Sequence, residues 1–229
     1  MIISHKYKFI FIKTRKTAGT SIEIALSRFC GPNDVITPMR KEDEDLRRSL
    51  GYRTPQNYHA QLSEYGPIDF LKLIYGKRKK RFTKHQPAAQ VKALVGDEIW
   101  NSYYKFSVVR NPWDRAISSY FWRNRRSKSQ QDLDAFIASD YLHKKHDNSS
   151  IYLINDGIAV DRVCRFEQLN QELEEVRLHL GIPEPLPLPK AKGDTRKDKR
   201  HYREILTEAQ RDEIDRIFRK EIGLFDYSF

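Results

Sequence analysis

Two segments of the sequence combine basic and hydroxyl side chains in patterns suited to holding a phosphate group. The first, residues 13–21, reads KTRKTAGTS and follows an apolar run. Gly19 permits close backbone approach to a ligand, Lys16 adds a positive charge, and the N-terminus of a following helix adds unpaired N–H donors. A polar turn that only caps a helix is the alternative reading. The candidate phosphate-binding residues are Lys16, Thr17, Ala18, Gly19, Thr20 and Ser21.

The second segment, residues 109–120, reads VRNPWDRAISSY. Arg110 stands at the carboxyl end of a predicted strand, where open α/β sheets bind ligands, and a guanidinium can hold a phosphate through two parallel hydrogen bonds. Ser118 lies seven residues after Asn111 and therefore returns to nearly the same helix face. Arg110 and Ser118 are predicted to converge on one anion, with an Arg110–Asp114 ion pair as the alternative.

Composition and missing motifs restrict the function classes. With 42 Lys and Arg against 31 Asp and Glu, the net charge of +11 predicts an anionic partner. The nucleotide-triphosphatase pattern GxxxxGK[ST] is absent, which argues against a P-loop kinase acting on a small molecule. A basic nucleic-acid-binding protein is the other alternative, suggested by the stretches 77–81 and 190–203. It leaves the two phosphate-suited segments unexplained, so no specific nucleic acid is expected.

Strand and helix patterns alternate along the chain and position both segments. Residues 7–13 predict a strand, followed by a helix that Thr20 and Ser21 cap and that runs to about residue 29. Residues 105–110 predict a second strand before a helix that starts at Pro112, and residues 160–166 a third strand before a helix over 168–180. This alternation predicts an α/β fold with a central parallel sheet flanked by helices, as a single domain over residues 1–229.

The remaining segments are assigned more coarsely. A helix that starts at Pro87 and stops at Gly96 would place His85 directly ahead of it. Residues 31–84 predict an irregular insertion with helices near 41–50 and 68–75. The spacing of Thr207 and Gln210 predicts a capping box at the start of a final helix.

The cysteine positions and the length of the apolar runs indicate in which cellular compartment the protein is expected. Cys30 and Cys164 are far apart and form no CxxC pattern, so we expect buried thiols rather than a disulfide or a zinc site. The apolar run of residues 9–12 is too short for a signal peptide or for a transmembrane segment, which needs about 20 apolar residues. The sequence therefore predicts a soluble, cytoplasmic protein without a transmembrane segment.

Taken in order, these motifs resemble the two elements of the sulfotransferase superfamily that bind 3′-phosphoadenosine 5′-phosphosulfate (PAPS). The similarity rests on residues 16–21, on Arg110-Asn111-Pro112 and on Ser118. Lys84-His85 before a helix, residues 201–204 and residues 225–229 resemble the carbohydrate sulfotransferase branch, the sulfotransferase family 2 domain. Arg15 departs from the family, which usually has proline there, and Lys13 stands where members vary.

The resemblance implies a P-loop-like fold and assigns roles to residues. The segment of residues 13–21, called the first loop from here on, would hold the 5′-phosphosulfate. Arg110 and Ser118 would hold the 3′-phosphate. His85 would act as general base, with His59 as its rival, and Lys16 would stabilise the leaving phosphate. In a loop that closes over the nucleotide, Thr195 and Arg196 would be further contacts.

The resemblance also implies the partners. PAPS would be the co-substrate and 3′-phosphoadenosine 5′-phosphate (PAP) the product, with no metal. The acceptor would be a hydroxyl group, which the branch suggests belongs to a carbohydrate, while a small-molecule or lipid-linked acceptor stays open.

Overall fold

The computed structural model describes residues 1–59, 81–125, 131–142, 147–189, 196 and 198–229. Its strands are β1 (Ile2–Ser4), β2 (Phe9–Phe11), β3 (Val35–Ile36), β4 (Tyr104–Val109), β5 (Leu153–Ile154), β6 (Gly157–Ile158) and β7 (Arg162–Arg165). Its helices are α1 (Gly19–Ser27), α2 (Lys41–Ser49), α3 (Ala88–Ser102), α4 (Pro112–Asn124), α5 (Leu133–Ala138), α6 (Ser149–Tyr152), α7 (Leu169–His179), α8 (Tyr202–Ile205) and α9 (Glu208–Leu224).

Five of the described strands form the central sheet, in the order β3-β1-β2-β4-β7. β2 pairs in parallel with β4, and β4 pairs in parallel with β7. β1 is antiparallel to both of its neighbours, β2 and β3. The predicted α/β fold with a central sheet flanked by helices is therefore confirmed, and its parallel part consists of the three strands that the alternating pattern indicated.

Period-two alternation along the strands divides the core between the two faces of the sheet. Phe9 and Phe11 of β2 pack with residues of α1 and α7 on one face. Ile10 and Ile12 pack with residues of α3 and α6 on the other. Because successive strand residues point to opposite faces, this apolar run is buried on both sides, as expected for a strand covered by helices on each face.

Several boundaries differ from the sequence-based expectations. The strand predicted over residues 7–13 is shorter, because Lys8 has a positive φ of 51° and turns the chain between β1 and β2. β1 itself was missed. Gly96 does not end its helix: with φ of 78° it interrupts α3, and the chain then resumes helical geometry as far as Ser102. A glycine with positive φ can kink a helix as well as stop it.

The sequence-based predictions for the remaining helices and for the cysteines are mostly confirmed where the structure describes them. The helix near 41–50 corresponds to α2, and Thr207 and Gln210 form the expected capping box at the start of α9. Both cysteines are buried and unpaired. The helix expected at 68–75, Thr195 and most of the basic stretch 77–81 lie outside the described residues. Within the described part of the chain, no helix has the length and apolar character needed to span a membrane.

Candidate functional site

The parallel pairing of β2 with β4 brings the two phosphate-suited segments side by side. Phe11 is in register with Phe106, so the carboxyl ends of both strands lie at the same edge of the sheet. There the Thr14 hydroxyl donates a hydrogen bond to the Val108 carbonyl. Both segments open into one cavity of about 650 Å³. Its lining includes the predicted residues Lys16, Thr17, Ala18, Gly19, Thr20, Ser21, His85, Arg110 and Ser118.

The first loop reaches its helix through left-handed backbone at Lys16 and Ala18, with φ of 65° and 56°. α1 begins at Gly19, and no described side chain caps it. The expectation that Thr20 and Ser21 cap this helix is therefore wrong, because both lie inside its first turn. Helix N–H groups of the first turn have no partner within the helix, so an uncapped start leaves donors for an anion at the cavity wall.

The Lys13 side chain attaches this loop to neighbouring helices through a buried ion pair. Its Nζ lies 2.6 Å from Glu23 Oε2, and both side chains are buried. Arg47 of α2 lies 3.4 Å from the other Glu23 oxygen. Although burial opposes ionisation, these positive charges, Lys13 foremost, lower the pKa of Glu23 to about 2. The loop is thus attached to α1 and α2 through a buried carboxylate.

Gly19 has a packing role that the sequence did not reveal. A Cβ added there would lie 2.8 Å from Cγ of Lys13, 3.2 Å from its Cε and 3.4 Å from its Cδ. The close approach expected between Gly19 and a ligand is therefore also an approach between Gly19 and the Lys13 side chain. Glycine is required at this position because the lysine stem crosses the start of α1.

His85 is held by the same residue, Lys13, through its backbone. His85 Nδ1 lies 2.9 Å from the Lys13 carbonyl oxygen. A carbonyl oxygen only accepts, so Nδ1 carries the proton and Nε2 is left as the acceptor of the neutral ring. Burial, followed by the positive charge of Lys13, lowers the pKa of His85 to about 2, which keeps the ring neutral. The rival His59 is exposed and is not among the cavity-lining residues.

Arg110 forms the ion pair with Asp114 that was the alternative prediction, and its guanidinium also lines the cavity. Its Nε and Nη2 each lie 2.7 Å from Asp114 Oδ2, and its Nη1 donates to the Lys16 carbonyl at 3.0 Å. The guanidinium also stacks 4.1 Å from the Phe166 ring centroid and lines the cavity. Contacts with the described residues do not use all five of its N–H donors, so the guanidinium can also donate to a ligand. Asn111 instead caps α4, accepting from the amides of Trp113 and Asp114.

Trp122 is a cavity residue that the sequence analysis did not select. It lies four residues after Ser118 on α4, and residues at this spacing share a helix face. That spacing was the signal available in the sequence. Lys16 Nζ lies 4.7 Å from the indole centroid, and the Arg40 guanidinium carbon lies 4.6 Å from it. Cation–π contacts of this kind restrain the long side chain of Lys16.

Arg196, from the stretch predicted to close over a nucleotide, reaches the same cavity. Its Nη1 lies 2.6 Å from Asp114 Oδ1, although the two residues are 82 positions apart. Asp114 therefore contacts both Arg110 and Arg196, each through a different carboxylate oxygen.

The described residues that line the cavity carry a large excess of positive charge. One carboxylate, that of Asp43, is found in its lining, against eight lysine and arginine side chains. Such a cavity attracts a polyanionic ligand. The basic residues are Lys13, Arg15, Lys16, Arg40, Lys84, Arg110, Arg196 and Lys199.

Comparison with known proteins agrees with this geometry. A family model described as "Sulfotransferase family" matches residues 1–228, essentially the whole chain. A curated protein of Archaeoglobus fulgidus described as "Uncharacterized protein" is similar over 104 residues at 28% identity, which covers 44% of this chain and 86% of that protein.

Proposed function

Since the chain belongs to the sulfotransferase family, we propose that it transfers a sulfuryl group from PAPS to a hydroxyl group of a carbohydrate acceptor. The observation that carries the proposal is the convergence of the first loop, Arg110, Ser118 and His85 on one positively charged cavity. Neither of the alternatives, a kinase or a nucleic-acid-binding protein, explains why a neutral, oriented histidine lies beside two phosphate-suited segments.

His85 is proposed as the general base. Its Nδ1 proton is engaged by the Lys13 carbonyl, so Nε2 can accept the proton of the acceptor hydroxyl as the new S–O bond forms. The low pKa of the unliganded state arises from burial and from the positive charges of Lys13 and Arg15. A bound polyanion offsets those charges and raises the pKa, which makes the imidazole a stronger base when the donor is present.

Lys16 and the loop amides are proposed to stabilise the departing phosphate. PAPS supplies a sulfuryl group whose bond to the 5′-phosphate oxygen breaks as the acceptor oxygen bonds to sulfur, leaving PAP. Negative charge then develops on that phosphate oxygen, and Lys16, restrained against Trp122, can donate to it. The uncapped start of α1 and the hydroxyls of Thr20 and Ser21 hold the same phosphate. No residue of this chain is assigned to hold a metal.

The acceptor is proposed to occupy the part of the cavity beside His85. Tyr141 and Trp122 provide aromatic surface in the cavity lining, and Arg40, Asp43 and Lys84 provide charged groups. Sugar rings present both apolar faces for aromatic contacts and hydroxyl groups for hydrogen bonds to charged side chains. This mixture supports a carbohydrate acceptor, in agreement with the family branch that the motifs resemble.

Calorimetric titration tests the donor assignment. PAP should bind without added metal and more tightly than ADP, ATP with Mg²⁺ or a short DNA duplex at physiological salt. Preference for ATP with Mg²⁺ would support a kinase instead, and binding of the duplex alone would support a nucleic-acid-binding protein. Transfer of radiolabel from [³⁵S]PAPS to a panel of saccharides then tests the acceptor class, with a hydroxylated phenol and a hydroxylated lipid as the competing acceptors.

A further inference from the structure

Asp114 lies between two arginines that come from distant parts of the chain. Arg110 directly follows β4, and Arg196 belongs to the stretch that follows the proline-rich segment. Asp114 Oδ2 accepts from Nε of Arg110 at 2.7 Å and lies 2.7 Å from its Nη2, and Asp114 Oδ1 accepts from Nη1 of Arg196 at 2.6 Å. All three side chains are less than one-fifth exposed.

The remaining donors of Arg196 organise its own segment. Its Nε donates to the Asp198 carbonyl at 2.7 Å, and its Nη2 donates to the Arg200 carbonyl. Together with the bond to Asp114, these contacts attach residues 198–200 to α4. Contacts with the described residues do not use all five N–H donors of either Arg196 or Arg110, so both guanidiniums retain donors for a ligand at the cavity wall.

The carboxylate is also what allows the two guanidiniums to lie near each other. Burial lowers the pKa of Arg110, Asp114 opposes that shift, and the like charge of Arg196 adds to it. A phosphate group carries two negative charges and three acceptor oxygens, which matches two guanidiniums that share a single carboxylate.

We infer that Asp114 is a positioning residue that holds Arg110 and Arg196 together as a two-arginine site for the 3′-phosphate of the donor. The inference rests on the proposed function, because it takes PAPS as the donor. It adds a residue that acts through both arginines, and it explains how the segment after residue 195 is attached at the nucleotide side of the cavity.

The test compares Asp114→Asn with wild type in binding PAPS and adenosine 5′-phosphosulfate, which differ only in the 3′-phosphate. Loss of charged hydrogen bonds of this type corresponds to about a 10- to 100-fold change in affinity. Asp114→Asn should weaken PAPS binding by that factor and adenosine 5′-phosphosulfate binding by less than about threefold. Without ligand, amide hydrogen exchange over residues 198–203 should become faster.

Asp215→Asn is the matched control. Asp215 of α9 accepts a hydrogen bond at 2.6 Å from Nε1 of Trp113, the neighbour of Asp114 in α4, but is not among the cavity-lining residues. An asparagine oxygen can keep that bond, so binding of both nucleotides should match wild type.

Equal weakening of both nucleotides by Asp114→Asn, or unchanged PAPS binding, would overturn the inference. Unchanged exchange over residues 198–203 would overturn the attachment of that segment through Asp114. A wild-type protein that does not prefer PAPS over adenosine 5′-phosphosulfate would instead refute the donor assignment in the proposed function. The two failures are thereby distinguished.

Discussion

Replacing Gly19 with alanine should destabilise the protein, although alanine is the better helix former. Gly19 is the first residue of α1 and does not have a positive φ, so its backbone accepts an L-side chain. Replacing a glycine in a helix with alanine stabilises the helix by up to about 1 kcal/mol. Against this, the new Cβ would lie 2.8 Å from Lys13 Cγ, closer than non-bonded carbons approach.

The lysine stem cannot easily move aside. Its far end is fixed by Glu23 at 2.6 Å, and the side chain is only 4% exposed. Overpacking of this kind costs about 1–3 kcal/mol, and breaking a buried ion pair costs about 3–5 kcal/mol. Displacing the lysine stem while the ion pair is retained costs less free energy than breaking the ion pair. Gly19→Ala should therefore lower the free energy of unfolding by about 1–3 kcal/mol.

Urea denaturation followed by circular dichroism measures this change, and Gly223→Ala is the matched control. Gly223 lies in α9, and a Cβ there would meet no described atom within 4 Å apart from its chain neighbours and the backbone of its own helix. The control should be as stable as wild type or up to about 1 kcal/mol more stable. In a Lys13→Ala background, Gly19→Ala should cost nothing, because the obstructing stem is gone. Equal stability of Gly19→Ala and Gly223→Ala would refute the packing argument.

Three further predictions concern the cavity. His85→Ala should lower the turnover rate by about 10²- to 10⁴-fold while leaving PAP binding within about twofold, as measured by [³⁵S]PAPS transfer and calorimetry, and unchanged turnover would remove His85 from the mechanism. The pKa of His85 lies near 2 in the folded protein, against its ordinary value of 6.5, so only the unfolded state takes up this proton below about pH 6.5. The titration of His85 should therefore lower the free energy of unfolding by up to about 1.4 kcal/mol for each pH unit of acidification. The urea midpoint of His85→Asn should depend less steeply on pH than that of wild type. Equal pH dependence of the two midpoints would contradict this prediction. Arg110→Ala should weaken binding of PAP far more than binding of AMP, and equal losses would mean that Arg110 has a structural role alone.

The local features of this protein could be predicted from its sequence. Turn residues, capping pairs and the periods of strands and helices depend on neighbours within a few positions, so α4 from Pro112 and the capping box of Thr207 and Gln210 were anticipated correctly. The two phosphate-suited segments were recognised for the same reason, and parallel pairing of their strands followed from the alternation of strands and helices. Errors arose where backbone conformation ran against residue type, as at Lys8, whose positive φ separates β1 from β2.

Contacts between distant residues were decided only by the tertiary structure. The Lys13 carbonyl and His85 are 72 positions apart, and Asp114 and Arg196 are 82 positions apart. No local pattern specifies such pairs, because they depend on how helices pack against the sheet. The sequence by itself therefore predicted which residues could hold an anion. Packing determined which nitrogen of His85 bears the proton, why glycine stands at position 19, and which carboxylate holds the two arginines together.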